Sequence, residues 1–186
     1  MYRNQSLKNY LDDLAAKKPA PGGGSASALT AAMGASLISM VINFTLGKPK
    51  YAKYESELKG FLEKSEKLRE EFLNLVDLDV TAYESKNIRD ALDIPFMLCR
   101  LCFAAIKLCP ALIKKANINL ISDVAVAAVL FEAAFSSAYF NVGINLKSLG
   151  DKKLTKSINK ELNQKEKLIK KLRLETEVKV GQIIRG

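Results

Sequence analysis

At 186 residues the chain is long enough to bury a real core and reads most simply as one domain, residues 1–186. It contains no histidine, which excludes every triad or His-base mechanism and leaves carboxylates, Lys, Tyr and Cys for proton transfer. The formal charge is +9, but +6 of it falls in Asp151–Gly186, where 11 Lys or Arg stand against 5 Asp or Glu. Such a surface suits nucleic acid, an anionic membrane or a polyanionic small molecule. No aromatic residue interleaves with those lysines, so base stacking has no support and nucleic acid is not an expected partner. Strand signals are nearly absent while helical periodicity recurs throughout, so the expected class is all-α: a bundle of long helices with two central charge-poor ones.

In chain order, Ser6 to Ala16 reads as a short helix with Leu7, Tyr10, Leu11 and Leu14 on one face, ending before Lys17, Lys18 and Pro19. The N-terminus is amphipathic and charged rather than a secretory signal, so a cytoplasmic protein is expected. The stretch PAPGGGS from Pro19 to Ser25 organises the rest of the chain. Pro19 and Pro21 keep the incoming chain extended, Gly22, Gly23 and Gly24 allow close backbone approach, and Ser25 reads as an N-cap. A helix start of this kind can receive an anion or a carbonyl oxygen, or can be a tight connection only.

From Ser25 to about Leu46 there is no charged residue. Ser27, Ala31, Ala35 and Ser39, four apart, let a neighbouring helix come close, so a central buried helix is expected rather than a membrane span. Gly47, Lys48 and Pro49 end it. A long helix then runs from about Tyr51 towards Ile88, with a buried stripe through Leu58, Phe61, Leu62, Leu68, Phe72, Leu75, Val76, Ala82 and Tyr83. Counting about 100° per residue from Phe72, Asp79 is displaced by only about 20° from that stripe, whereas Asp77, about 140° away, should face solvent. Burial of Asp79 would raise its pKa towards the range useful for general acid–base work. It could equally be a structural acid bonded to backbone or Arg.

Pro95 reads as the start of the next helix with Asp93 as its cap, and Cys109–Pro110 breaks the run. Cys99, Cys102 and Cys109 fall on one helical stripe and read as core thiols rather than a zinc site, so no metal is expected. After a short helical piece at Ala111 to Lys115, Ser122 is expected to cap a second charge-poor helix reaching Leu146. Its Glu132 is either a paired core acid or part of a site. Asn141 and Asn145, four apart, share a face with Lys147 just beyond. Their amides suit a flat heterocycle, or satisfy helix-end carbonyls. The last element, Leu154 to Lys179, is an amphipathic cover helix with a solvated basic face.

Together, PAPGGGS, NFTLGKPKY (Asn43 to Tyr51), LVDLDVTAY (Leu75 to Tyr83), SDVAVAA (Ser122 to Ala128) and FNVGINLKSL (Phe140 to Leu149) resemble the cyclodeaminase/cyclohydrolase family, in the same order over nearly the whole chain. The resemblance implies an all-helical subunit that forms a homodimer or part of a larger ring. It implies a tetrahydrofolate one-carbon interconversion, either cyclodeamination with ammonia release or cyclohydrolysis of a methenyl bridge. It also implies a catalytic aspartate at the position matching Asp79. Substrate contacts are expected from Gly22, Gly23, Gly24, Ser25, Asn43, Asn141 and Asn145, with Lys48 and Lys147 receiving the carboxylates of the folate, including a polyglutamate tail. No metal or redox cofactor is required beyond the folate substrate, and neither a membrane nor nucleic acid is an expected partner. One departure stands out: the chain passes from Tyr83 through ESKNIRDALDIP to the next helix, where many members carry an extra segment. The alternative reading is therefore a non-catalytic ligand- or partner-binding module of the same fold.

Overall fold

The computed structural model describes all 186 residues and contains seven α-helices and no strand. These are α1 (Leu7–Ala15), α2 (Gly23–Asn43), α3 (Glu55–Ser85), α4 (Ile88–Ala105), α5 (Leu108–Leu112), α6 (Ile121–Leu149) and α7 (Lys152–Arg185). The two charge-poor helices, α2 and α6, pack against each other at the centre. On their flanks, α3 lies on α2, α4 bridges α6 and α3, and α7 covers α6. In all, 37 buried residues form one connected apolar core.

The small-residue stripe of α2 is buried along its length at Ser27, Ala31, Ala35 and Ser39. Its hydroxyls are satisfied as burial requires: Ser39 Oγ and Ser65 Oγ of α3 share a hydrogen bond of 2.8 Å. Gly34 is a packing requirement, because a methyl group there would come within 2.9 Å of the Phe131 ring of α6. The C-terminal end of α2 is tied down by Asn117, whose backbone N–H donates to Thr45 Oγ1 (2.8 Å) and whose side chain reaches Phe44 O (3.4 Å). On α7, Ile158, Leu162 and Ile169 face inward and the lysines outward, as the pattern predicts.

Four local expectations are corrected. The helix after the glycines begins at Gly23 with Gly22 as its cap, so Ser25 lies inside the first turn, where its hydroxyl bonds to α1 and α3 rather than capping α2. Helix α4 begins at Ile88 rather than Pro95. Asn87 Oδ1 accepts from Arg89 N and Asp90 N, and this cap starts the helix well before the proline, which sits buried in the interior. Ser122 does not cap α6, which continues directly from a 3₁₀ turn over Ile118–Leu120. Asp77 is only 8% exposed: the N-terminal turn folds over it, with Tyr2 N donating to Oδ1 and Arg3 Nε 3.8 Å from Oδ2.

The direct passage from the acid-bearing helix to the next one, read from the sequence, is a tight junction. Lys86 closes α3 in the left-handed region (φ 57°), and Asn87 opens α4 immediately. Helices α2 and α6 are both long and apolar enough to cross a membrane by length and composition, and most of the α2 span is buried against its neighbours. What the bundle leaves uncovered is one face of each, through Met33 and Phe44 on the α2 side and Val126, Val129, Phe140 and Ile144 on α6.

Candidate functional site

Where the start of α2 meets the C-terminal part of α3, the glycines bring backbone against a carboxylate. Ser25 N, one of the N–H groups that a first helical turn leaves without an intrahelical partner, donates to Asp79 Oδ2 at 2.8 Å. The approach is close enough that a Cβ on Gly24 would stand 2.0 Å from Asp79 Oδ1. A glycine is required at that position by space, not by backbone angle. Ser25 is itself anchored: its hydroxyl donates to Val76 O of α3 (3.0 Å) and receives the buried Tyr10 OH of α1 (3.2 Å). Tyr10 is held edge-on by Tyr2, with ring centroids 5.4 Å apart. The N-terminal segment thus braces the turn that holds Asp79.

Asp79 lies half-buried in the wall of a cleft of about 290 Å³, lined also by Gly22, Gly23, Gly24, Tyr83, Ala91, Asn141 and Asn145. Burial raises its pKa above the ordinary carboxylate value, and the Ser25 N–H opposes this by stabilising the anion. No cation neutralises it: none of the ion pairs in the structure involves Asp79. A carboxyl group with a raised pKa, one hydrogen bond and open space beside it is suited to take up and return protons.

Asn141 and Asn145 extend from α6 towards the glycine turn, with Asn141 3.8 Å from where a Cβ on Gly23 would lie. Ile144 also lines a groove of about 630 Å³ that carries Tyr139, Phe140, Lys147, Glu166 and Lys170, and a third depression gathers Lys147, Lys152 and Lys156. Lys147 lines both of these hollows, and the first of them adjoins the Asp79 cleft at Ile144.

The arrangement unites Asp79, the three glycines, Ser25, Asn141 and Asn145, with Lys147 close by. It does not unite Asn43 and Lys48 with them. Asn43 is the last residue of α2 and Lys48 lies beyond it, and the 21 residues of α2 span about 30 Å, so within one subunit they cannot reach the cleft. Sequence reasoning misses three components of the site. Tyr10 reads from the sequence only as an apolar-face residue. Tyr83 falls on the expected buried stripe but is 58% exposed, because the cleft opens beside it one turn beyond Asp79. Ala91 carries no side-chain signal at all.

Glu132 is a paired acid outside the cleft. It accepts from Ser136 Oγ at 2.8 Å and lies 3.7 Å from Arg173 Nε of α7. The three cysteines are buried and free, and burial pushes the Cys99 thiol up to about 12, so all three are packing residues.

The chain matches the family model described as formiminotransferase-cyclodeaminase in two stretches, residues 6–87 and 84–164, which meet at the α3–α4 junction. It is 38% identical to a methenyltetrahydrofolate cyclohydrolase of Methylorubrum extorquens, across 87% of this chain and 89% of that protein. It is 30% identical to the formimidoyltransferase-cyclodeaminase of Mus musculus, matching 78% of this chain but only 31% of that longer protein. Among solved structures, a formiminotetrahydrofolate cyclodeaminase from Thermotoga maritima superposes with a TM-score of 0.93 at 29% identity, covering 99% of this chain and 100% of the other.

Proposed function

The chain belongs to the formiminotransferase-cyclodeaminase family, and we propose that it is an enzyme of tetrahydrofolate one-carbon interconversion whose acid–base group is Asp79. The observation that carries this reading is the half-buried carboxyl group, held by the Ser25 N–H at the mouth of a cleft and lacking any cationic partner. The short α3–α4 junction leaves Tyr83 and Ala91, on either side of it, in the cleft wall with Asp79.

Of the two reactions, water addition to the methenyl bridge is the better supported, because the cyclohydrolase is 38% identical to this chain and the cyclodeaminase of known structure 29%. Water oxygen bonds to the bridge carbon, and Asp79 takes the proton that water loses. The carbon–nitrogen bond of the bridge then breaks, Asp79 returns a proton to the departing nitrogen, and the one net proton goes to solvent. In its ionised form the carboxylate also stabilises the positive charge of the bridge before attack. Cyclodeamination, favoured by the structural likeness to a cyclodeaminase, uses the same group: the folate nitrogen bonds to the formimino carbon and gives its proton to Asp79, which returns a proton to the formimino nitrogen as that carbon–nitrogen bond breaks and ammonia leaves. The chemistry draws on protein carboxyl groups and substrate alone.

Gly22, Gly23, Gly24, Asn141 and Asn145 form the walls that contact the pterin, and Lys147 receives the glutamate end of the folate, a polyglutamate tail continuing towards Lys152 and Lys156. The uncovered faces of α2 and α6 pair two subunits in a homodimer. Phe140 and Ile144, 77% and 64% exposed, are its anchors. Because the α2 face runs from the glycine turn to Phe44, a two-fold arrangement along it brings Asn43 and Lys48 of one copy beside the Asp79 cleft of the other. A cytoplasmic location fits this soluble metabolic role.

The test is turnover of 5,10-methenyl- and 5-formimino-tetrahydrofolate, followed by methenyl absorbance. Loss of the methenyl band supports cyclohydrolysis, and its appearance from the formimino substrate supports cyclodeamination. No change with either overturns the reading.

A further inference from the structure

Pro95 is buried inside α4, and a proline nitrogen carries no hydrogen. In an α-helix the N–H of one residue meets the carbonyl four residues earlier, so Pro95 withholds the donor that Ala91 O would otherwise receive. That carbonyl has another partner. Asn145 Nδ2 of α6 donates to Ala91 O across the α4–α6 contact. A carbonyl oxygen only accepts, so the NH₂ end of the Asn145 amide must face Ala91, and Oδ1 is turned away from it. Ala91 and Asn145 both line the Asp79 cleft. Asn141 differs: its Nδ2 donates to Ser137 O of its own helix (3.1 Å), a tie that needs nothing from α4.

We propose that Pro95 is a positioning residue of this site: by leaving the Ala91 carbonyl free it fixes the Asn145 amide and presents Asn145 Oδ1 as a set acceptor for an N–H on the edge of the reduced pterin. The proposal rests on the folate reading. A free amide would have to be ordered on binding and, if turned over, would set its own N–H against the ligand's. A fixed one is already arranged. The proline that interrupts hydrogen bonding within α4 thereby supplies the anchor for a binding group on α6.

Pro95→Ala provides an N–H that competes for Ala91 O, and since alanine favours helix the variant should fold. The side-chain amide resonance of Asn145 is read in substrate-free protein, and KM and kcat for methenyltetrahydrofolate are read in wild type, Pro95→Ala, Asn145→Ala and the double variant. In Pro95→Ala the amide signal should move to that of a free, solvent-exchanging group. KM should rise about five- to tenfold, the effect of one hydrogen bond, with kcat within about twofold. Asn145→Ala should give a similar rise, and the double variant no more than Asn145→Ala alone. An unchanged amide signal, an unchanged KM, or two rises that multiply in the double variant would overturn the proposal. Wild-type protein that acts on no tetrahydrofolate derivative would overturn the functional reading and remove the pterin as the partner of Oδ1. The Asn145 signal, read without substrate, separates that failure from failure of the Pro95 arrangement.

Discussion

A single methyl group at residue 24 should silence the cleft while the fold survives. In Gly24→Ala the new Cβ would lie 2.0 Å from Asp79 Oδ1, 2.6 Å from Cγ and 2.8 Å from Oδ2, whereas unstrained contacts between such atoms lie at about 3.5 Å. The carboxyl group must therefore withdraw by more than about 1 Å, which breaks its 2.8 Å bond from Ser25 N. A misplacement of that size costs roughly 10²-fold in rate, and complete loss of a general acid–base group about 10²- to 10⁴-fold. The expected result is a fall in kcat of at least about a hundredfold, together with about 1–3 kcal/mol of destabilisation from overpacking. Two neighbours in the same cleft wall serve as controls for kcat alone, since a methyl group there can raise KM against the pterin without moving Asp79. Gly23→Ala meets only Asn141 at 3.8 Å, an ordinary contact, and Gly22→Ala meets nothing within 4 Å at an extended φ of −135°. Steady-state turnover and thermal melts of the three variants decide the matter. Wild-type kcat in Gly24→Ala, or an equal loss in all three, would refute the claim that this close approach holds the catalytic group.

Stability should move opposite to activity at Asp79. Its folded pKa is raised, so below the ordinary carboxylate value both states are protonated and there is no penalty. As pH rises towards the folded pKa the unfolded state ionises first, and stability is lost. Asp79→Asn should therefore raise Tm at neutral pH, with the gain vanishing below the ordinary carboxylate pKa. A Tm difference that grows on acidification would contradict the sign. If two copies share each cleft, mixing inactive Lys48→Ala with inactive Asp79→Asn and allowing subunits to exchange should restore measurable turnover, since a hybrid dimer has one intact site; no recovery would leave Lys48 outside the site. In the same framework Phe140→Asp should shift the protein towards monomer in sedimentation, and an unchanged dimer would place the interface elsewhere.

The range over which each signal acts decides how much of the fold and site is legible in the sequence. Helical periodicity is local and repeated, so the charge-poor helices, the cover helix and the inward face of Asp79 emerge from spacing alone. The family likeness adds the folate, which no residue count supplies. The misreadings all concern what a distant part of the chain does to a local rule. Pro95 looks like a helix start until Asn87 caps the helix earlier and Asn145 takes up the carbonyl that the proline leaves free. Asp77 points away from the α3 stripe, yet Tyr2 and Arg3 cover it. Ser25 has the chemistry of a cap, but Tyr10 and Val76 claim its hydroxyl. Asn43 and Lys48 are a different case: their motif carries no information about the length of helix that separates it from the cleft within one subunit, and they contribute to a site only if two copies share it.

The most direct measurement is turnover of methenyltetrahydrofolate by Asp79→Asn and Asp77→Asn, each checked for an intact helical fold. The two carboxylates are neighbours on α3, but one opens into the cleft and the other is locked under the N-terminal turn. Asp79→Asn is expected to lose about two to four orders of magnitude in kcat, while Asp77→Asn loses stability and keeps its turnover per folded molecule. Full activity in Asp79→Asn, or the larger kinetic loss in Asp77→Asn, would contradict the assignment of proton transfer to Asp79.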